Sequence, residues 1–433
     1  MARSQATRLN LDPLLDEPVD WRYKSFPPGP AVPLRSVGDR GWSVLGGEFM
    51  LPVMVLKDSA LQHNIELMAR YCREHDFLLA PHGKTSMSPQ LLKRQLEGGA
   101  WAVTAATMSQ VRVWREFGVD RVILANELVE PASVRWIASE LHRDPEFDFY
   151  CLVDSVAQVR LIESALEATA LDRPLQVLLE VGFTGGRAGC RTPKQALEVA
   201  RAVSASGRLT LAGVEAFEGI ISSDSLNGTI EATDRFLSDM RALVERVDQA
   251  GLFARSTRVM VSAGGSAFPD RVVAAFGRPW DLSRPVELVL RSGCYITHDA
   301  VHYQQLSPFG GRIPETGPLK EALEVWGVVL SLPEPGLALI GFGKRDVPYD
   351  LELPVPRMIK SGGEAPRPFQ SAAVISGTND QHAYLRIEGP ENLKVGDMVG
   401  CGISHPCTAF DKWRLIPLVD DGYRVIDAIL TYF

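Results

Sequence analysis

The sequence predicts an α/β protein, built as a closed (β/α)8 barrel followed by a C-terminal antiparallel β-domain. Between residues 76 and 295, short and almost continuously apolar runs alternate with segments of helical periodicity. Such an alternation indicates a parallel sheet that is buried on both faces. The runs number eight, which is the strand count of a closed barrel. After about residue 318 the pattern changes to short alternating strands punctuated by Pro and Gly, which indicates a separate antiparallel sheet.

The barrel strands are predicted from their apolar composition. They are Phe77–Pro81, Trp101–Thr107, Arg121–Asn126, Asp148–Asp154, Leu175–Gly182, Leu209–Glu215, Val259–Ala263 and Val286–Arg291. Amphipathic segments between them, with apolar residues three and four apart, include Ser109–Phe117, Ser155–Ala168 and Lys194–Ser204. A doubly wound open sheet is the alternative, but the G-x-G-x-x-G fingerprint that would open its first helix is absent.

The sequence divides into three predicted parts. Residues 1–48 form an N-terminal extension outside the barrel count, with the β-domain as a candidate packing partner; residues 49–317 form the barrel and residues 318–433 the β-domain. The predicted strands of the β-domain are Leu323–Ser331, Gly336–Phe342, Gln370–Ile375, Ala383–Ile387, Asp397–Ile403 and Tyr423–Tyr432.

Composition excludes several classes of protein. The 433 residues carry a formal net charge of -8, which is the wrong sign for a protein that binds nucleic acid by neutralising phosphates. No run approaches the roughly 18 apolar residues of a membrane span, and the first residues lack the apolar segment of a secretory signal, so we expect a cytoplasmic protein. The six cysteines include no C-x-x-C pair, and we expect them to be reduced thiols.

The first barrel strand is followed by a lysine in a position typical of barrel active sites. In the segment P-H-G-K-T, Lys84 comes just after the carboxyl end of the strand, the face where barrel enzymes keep their catalytic groups. At a desolvated barrel mouth the pKa of a lysine falls, and its amine can form a Schiff base with an aldehyde. The alternative is a solvated loop lysine.

Two glycine-containing loops follow the seventh and eighth strands. Ser262, Gly264 and Gly265 belong to the segment S-A-G-G-S, whose backbone N–H groups are suited to an anion, and Tyr295 follows in R-S-G-C-Y. Phosphate sites in barrels commonly use these two loops. An ordinary tight turn is the alternative for each loop.

The β-domain contains the segment S-H-P-C. It places His405 and Cys407 two residues apart, on one face if the backbone is extended. Imidazole and thiolate together suit Zn²⁺, and two protein ligands leave positions open for substrate or water. Asp411 is a candidate further ligand or supporting residue. The alternative is a buried structural thiol beside a satisfied histidine.

These motifs, taken in order, resemble the D-serine dehydratase and D-threonine aldolase family. The resemblance rests on P-H-G-K-T, on the segment E-V-G-F-T-G-G-R-A-G at the fifth strand, on S-A-G-G-S, R-S-G-C-Y and S-H-P-C, and it covers about residues 50–433. Within the family, the chain is most similar to the group called amino acid deaminases. Ser86-Met87-Ser88-Pro89 after Thr85 departs from the family pattern.

The resemblance implies a pyridoxal phosphate (PLP) enzyme with an alanine-racemase-like barrel. It implies that Lys84 holds the cofactor, that Ser262, Gly264, Gly265 and Tyr295 surround its phosphate, and that His405 and Cys407 bind zinc. Arg187 is placed near the cofactor ring, and His82 and Thr85 flank the lysine. Gln110 and Asn126, near the ends of strands two and three, are either site residues or ordinary polar groups of a helix or loop.

The implied reaction is the loss of water from a D-3-hydroxy amino acid such as D-serine or D-threonine, giving a 2-oxo acid and ammonia. Retro-aldol cleavage to glycine and an aldehyde is the close alternative, and Mn²⁺ or Mg²⁺ would suit it better than Zn²⁺. Cys407 favours the dehydratase because a thiolate prefers zinc. Racemisation needs no metal, and a non-catalytic PLP-binding protein would not need the β-domain. The resemblance also implies a homodimer that acts on a small molecule.

Overall fold

The computed structural model describes residues 9–167 and 169–433, and within them the predicted barrel is confirmed. Eight parallel strands follow one another around the sheet in chain order. The first and second strands close the circle through the bridge between His82 and Thr104 and the hydrogen bond from Trp101 N to Leu79 O, 2.7 Å. The strands are Leu78–Leu79, Val103–Ala105, Arg121–Glu127, Asp148–Val153, Leu175–Val181, Leu209–Ala216, Val259–Ala263 and Val286–Leu290.

Eight helices surround these strands. They are Asp58–Glu74, Pro89–Glu97, Met108–Glu116, Pro131–Arg143, Val156–Leu166, Pro193–Ala205, Leu226–Gln249 and Pro269–Phe276. The three amphipathic segments predicted from sequence are therefore helices, although Ala168 lies outside the described residues. Hydroxyl caps start several of them; Thr107, for example, accepts a hydrogen bond from the backbone N–H of Gln110. Each helix turns its apolar face toward the sheet, which buries the strands on both faces.

The C-terminal residues form an antiparallel sheet, as the change in pattern near residue 318 predicts, and the strand Val53–Lys57 completes it to ten strands. Its strands are Val53–Lys57, Leu323–Glu334, Leu337–Ile340, Val355–Lys360, Arg367–Pro368, Ala372–Thr378, Ala383–Glu388, Met398–Gly402, Leu415–Val419 and Val425–Leu430. All pairings are antiparallel except the parallel pair of Val53–Lys57 with Leu415–Val419. A four-residue helix, Cys407–Phe410, follows the strand Met398–Gly402.

The strand Val53–Lys57 joins the two parts of the molecule. It lies within the range assigned to the barrel from sequence, yet it pairs with Leu323–Glu334 and Leu415–Val419 of the antiparallel sheet. The barrel helices begin only at Asp58. The chain therefore enters the barrel directly from a central strand of the other sheet, which restrains the sheet next to the barrel.

The N-terminal extension packs on the β-domain. Its apolar side chains, including Val19, Phe26 and Leu34, share one buried cluster with Trp326 and Val425 of the sheet. Its short elements are the helix Asp12–Leu15, the strands Pro18–Val19 and Val32–Pro33, and the 3₁₀ turns Leu34–Ser36 and Gly38–Arg40. Burial of these side chains gives the extension a structural role. In the described part of the chain, no helix has the length and apolar character needed to cross a bilayer.

The tight packing of the barrel wall can be tested by substitution at Gly213, in the sixth barrel strand. A Cβ at this position would lie 1.9 Å from the carbonyl oxygen of Met260, and a backbone atom of a paired strand cannot move aside. We expect Gly213→Ala to lower the free energy of unfolding by about 1–3 kcal/mol. Gly207→Ala is the matched control, because a Cβ there meets nothing within 4 Å. Urea titration followed by circular dichroism measures both, and equal midpoints would contradict this packing.

Candidate active site

The candidate site lies at the carboxyl ends of the barrel strands, where Lys84 follows the first strand. Pro81 has no N–H to continue the ladder, and the chain turns through the 3₁₀ segment Gly83–Thr85. Glycine is required in this turn, since a Cβ at Gly83 would meet the indole of Trp114 at 2.6 Å. The close packing of this turn positions Lys84 at the mouth.

The Lys84 amine is held in conditions that favour its neutral form. Burial lowers its pKa, and the nearby charges of Arg187 and Arg291 lower it further, whereas Cys407 and Cys294 act in the opposite direction. Beside it, burial and the Lys84 charge depress the pKa of His82 well below its usual value. The Nδ1 atom of His82 is buried without a hydrogen-bond partner. The site therefore places an amine of lowered pKa beside an imidazole that burial keeps neutral.

The structure brings the β-domain motif to the same place. Cys407 Sγ lies 3.4 Å from Thr85 Oγ1, next to Lys84 in the chain, and it contacts the side chain of His405. The backbone from His405 to Cys407 is not extended: Pro406 has helical dihedral angles and leads into the helix Cys407–Phe410. A turn therefore brings the side chains of His405 and Cys407 together, and this pair lies beside Lys84 of the same chain.

A carboxylate that the sequence did not reveal orients His405. Asp350 Oδ2 lies 2.7 Å from His405 Nδ1, and the hydroxyl of Thr408 donates to the other oxygen of Asp350 at 2.8 Å. Burial opposes a charge on His405, but Cys407 and Asp350 outweigh it and raise its pKa to about 9. Asp411, the residue considered from sequence, instead lies 3.9 Å from Lys412 Nζ. No motif links residues 350 and 405, so only the fold could identify this pair.

The loop after the seventh strand binds an acidic group, and that group is the side chain of Glu218. The N–H groups of Gly264 and Gly265 donate to the two oxygens of Glu218, at 3.0 and 2.8 Å. Glu218 is fully buried, and burial raises its pKa. The two N–H groups point toward one acceptor group, as they would in a phosphate site. A phosphate could accept from them only if Glu218 moved away.

Ser262 and Tyr295 are engaged elsewhere. Ser262 Oγ donates to the carbonyl of Val289 at 3.2 Å and accepts from Arg291 Nε at 2.9 Å. The Tyr295 hydroxyl accepts from Gln95 Nε2 at 3.0 Å within the core. Both hydroxyls therefore have hydrogen-bond partners other than the amides of Gly264 and Gly265.

The remaining candidate residues, Arg187, Gln110 and Asn126, lie at the rim of the barrel mouth. Arg187 is exposed, with its guanidinium 4.6 Å from the ring centroid of Phe217, and its charge acts on Lys84. Gln110 and Asn126 both bond to the backbone of Ala106, at 2.8 and 3.0 Å. Gln110, in the helix Met108–Glu116, and Asn126, in the third strand, thus both hold the loop residue Ala106 in place.

Acidic side chains form a second cluster in the barrel, in which Glu180 is buried and Glu127 and Asp154 are partly buried. Glu127, Asp154 and Glu180, at the ends of three successive strands, place carboxylate oxygens within 4.8 Å of one another. Burial, followed by contact with Glu127, raises the pKa of Glu180 to about 10, so this carboxyl holds a proton at neutral pH. On the next strand, Glu215 pairs with Arg291. Sequence reasoning did not connect these groups because they lie in or just after separate strands, and only the barrel brings them together.

Comparison with known proteins places the chain in a family. Residues 57–278 match the family described as "Alanine racemase, N-terminal domain", and residues 322–419 match the "Putative serine dehydratase domain". The 3-hydroxy-D-aspartate aldolase of Paracoccus denitrificans (strain Pd 1222) is 25% identical over 309 residues, which are 71% of this chain and 75% of that protein.

Solved structures share the fold over nearly the whole chain. The D-threonine aldolase from Filomicrobium marinum superposes with a TM-score of 0.74 at 22% identity and covers 90% of this chain and 97% of its own. The D-threo-3-hydroxyaspartate dehydratase from Delftia sp. HT23 has a TM-score of 0.67 at 19% identity, with 88% and 97% covered. The chain therefore belongs to the alanine-racemase-like family, in the group that joins this barrel to a serine dehydratase-type β-domain, as its ordered motifs predicted.

Proposed function

We propose that the chain is a PLP- and zinc-dependent lyase that removes water from D-3-hydroxy amino acids, such as D-serine or D-threonine, and yields a 2-oxo acid and ammonia. One observation carries the proposal: Cys407 Sγ lies 3.4 Å from Thr85 Oγ1, so the candidate metal ligands and the candidate cofactor lysine share one site. The relatives support the reaction class, because those compared are named as aldolases or dehydratases of D-hydroxy amino acids.

The residues fit PLP. A half-buried amine whose pKa is lowered by burial is suited to bond covalently to an aldehyde. The paired amides of Gly264 and Gly265 already bind a carboxylate, which shows that they suit an anion. Lys84 would hold the aldehyde end and these amides the phosphate, after Glu218 moves away.

The residues also fit zinc. Asp350 engages Nδ1 of His405, so Nε2 is the nitrogen that would bind a metal, and a carboxylate behind a histidine is a common support for such a ligand. Cys407 supplies a sulfur beside it. An imidazole and a thiolate together are typical ligands of zinc, and a cysteine variant of D-threo-3-hydroxyaspartate dehydratase is known in a metal-free form.

When bound, PLP supplies an electron sink for charge at Cα, and zinc supplies a Lewis acid for the oxygen at Cβ. Lys84 is the base for the proton at Cα, because its lowered pKa leaves Nζ unprotonated in a larger fraction of molecules. Asp350 holds the His405 ring in one orientation. The β-domain covers the mouth next to Thr85 and limits the access of water.

Retro-aldol cleavage is the second candidate, and the names of the relatives favour it. Both the Paracoccus denitrificans protein and the Filomicrobium marinum protein are aldolases. Such a reaction requires a base at the β-hydroxyl rather than a departing oxygen. Cys407 favours elimination, because a thiolate selects zinc over the harder Mn²⁺ and Mg²⁺ ions.

Product analysis with D-threonine tests the function. Protein supplied with PLP and zinc should release 2-oxobutanoate and ammonia, which lactate dehydrogenase-coupled and ammonia assays measure. Glycine and acetaldehyde as the main products would establish the aldolase instead. The L enantiomer serves as the control for handedness.

Lys84→Ala should lose the specific covalent attachment of PLP, because the amine that bonds the aldehyde is removed. After incubation with PLP and borohydride, peptide mapping by mass spectrometry should locate the label on the peptide containing residue 84 in the parent protein and nowhere specific in the variant. Lys93→Ala is the matched control, since its side chain is 46% exposed and outside the site. Unchanged labelling in Lys84→Ala would refute the assignment.

Asp350→Asn should weaken zinc binding about 10- to 100-fold, because an amide orients the His405 imidazole less strongly than a carboxylate does. A competition titration with a chromophoric chelator measures the dissociation constant without turnover. Asp411→Asn should bind zinc as the parent does. Equal affinities for all three proteins would show that Asp350 does not support a metal ligand.

A further inference from the structure

Two thiols from distant parts of the chain meet at the candidate site. Cys294 lies in the 3₁₀ turn Cys294–Ile296, after the eighth barrel strand, and Cys407 begins the helix Cys407–Phe410. Their Sγ atoms are 3.3 Å apart across 113 residues of chain. Across residues 9–167 and 169–433, which contain all six cysteines, this is the one cysteine pair within hydrogen-bond distance. The dehydratase mechanism uses Cys407 but assigns no role to Cys294.

The two sulfurs differ in accessibility. Cys407 is partly exposed, whereas the other five cysteines are buried, and Cys294 is only 5% exposed. A small oxidant that enters the barrel mouth therefore reaches Cys407 first. Cys294 is positioned behind it, where its thiol can react with an oxidised Cys407.

We propose that Cys294 and Cys407 form a peroxide-sensitive disulfide in the metal-free protein. Hydrogen peroxide transfers one oxygen to the Cys407 thiol, the O–O bond breaks, and sulfenic acid and one water form. The Cys294 sulfur then attacks the sulfenic sulfur; an S–S bond forms, the S–O bond breaks, and a second water leaves with the Cys294 proton. In sum, two thiols are oxidised by two electrons and one peroxide is reduced to two waters.

Local structure allows this closure. A disulfide requires the sulfurs to approach to about 2 Å, from 3.3 Å. Both residues lie at the first position of a short turn or helix, where a side-chain rotation disturbs little regular structure. The contact between Thr85 Oγ1 and Cys294 Sγ, at 3.9 Å, is weak and does not prevent the movement.

The bond would have two consequences. It would tie the β-domain covalently to the barrel, because Cys294 follows a barrel strand and Cys407 follows a strand of the other sheet. It would also remove the Cys407 thiolate as a ligand, so zinc and oxidation compete for one sulfur. Formation of the disulfide depends on the sulfur geometry alone, whereas its effect on catalysis rests on the proposed function.

The test oxidises the full-length protein and measures the oxidation state of its cysteines by mass spectrometry. Chelator-treated protein is exposed to stoichiometric hydrogen peroxide, alkylated without reduction, digested and analysed by mass spectrometry. We expect a peptide linked through Cys294 and Cys407, a loss of two free thiols from six, and full reversal by a dithiol reductant. The oxidised protein should lose most of its zinc binding in a chelator competition, and zinc added beforehand should protect the thiols.

Two variants supply matched controls. Cys294→Ser keeps a hydrogen-bonding group beside Cys407 and should yield no linked peptide. A second equivalent of hydrogen peroxide should then oxidise its Cys407 sulfenic acid to sulfinic acid with release of water, a product that a dithiol does not reverse. Cys401→Ala removes a buried thiol elsewhere and should form the disulfide as the parent does. Sulfinic Cys407 with intact Cys294 in the parent protein would overturn the redox pair. A linked peptide in a protein that shows no lyase activity would leave the pair established and refute the proposed function alone.

Discussion

The contact between the antiparallel sheet and the barrel mouth is the constraint on which the candidate site depends. Cys407 reaches Thr85 and Cys294 only because the sheet is held over the carboxyl ends of the barrel strands. The strand Val53–Lys57 contributes to this restraint, since it pairs within the sheet and leads without a linker into the first barrel helix. A flexible connection would leave the metal motif and the lysine without a defined distance between them.

The pKa shifts of ionisable groups in the barrel depend on burial. Burial is the largest cause of four pKa shifts here: it lowers the pKa of Lys84 and His82 and raises that of Glu180 and Glu218. A barrel without its cover would expose these groups to water, and their pKa values would return toward ordinary ones. The β-domain contributes to this burial, because Cys407 contacts Thr85 next to Lys84.

The barrel could be predicted from sequence because the spacing of apolar residues and the number of apolar runs can both be read from short stretches of chain. Eight apolar runs separated by helical segments predicted the barrel, and all eight strands occur. Four strands of the other sheet escaped prediction. Val355–Lys360 and Leu415–Val419 each contain an internal proline, which predicts a turn. Arg367–Pro368 has only two residues, and Val53–Lys57 stands apart from its partners in the chain. Proline is accommodated where the ladder does not need its N–H.

The sequence by itself determined the family, through the identity and order of its motifs. It also determined the position of Lys84 after the first strand and the H-x-C pair, because each of these features consists of neighbouring residues. The tertiary structure decided which groups meet. It placed Asp350 behind His405, Cys294 against Cys407 and Glu218 on the amides of Gly264 and Gly265, across separations of 55, 113, 46 and 47 residues. Such contacts arise from the packing of distant elements, and no local pattern records them.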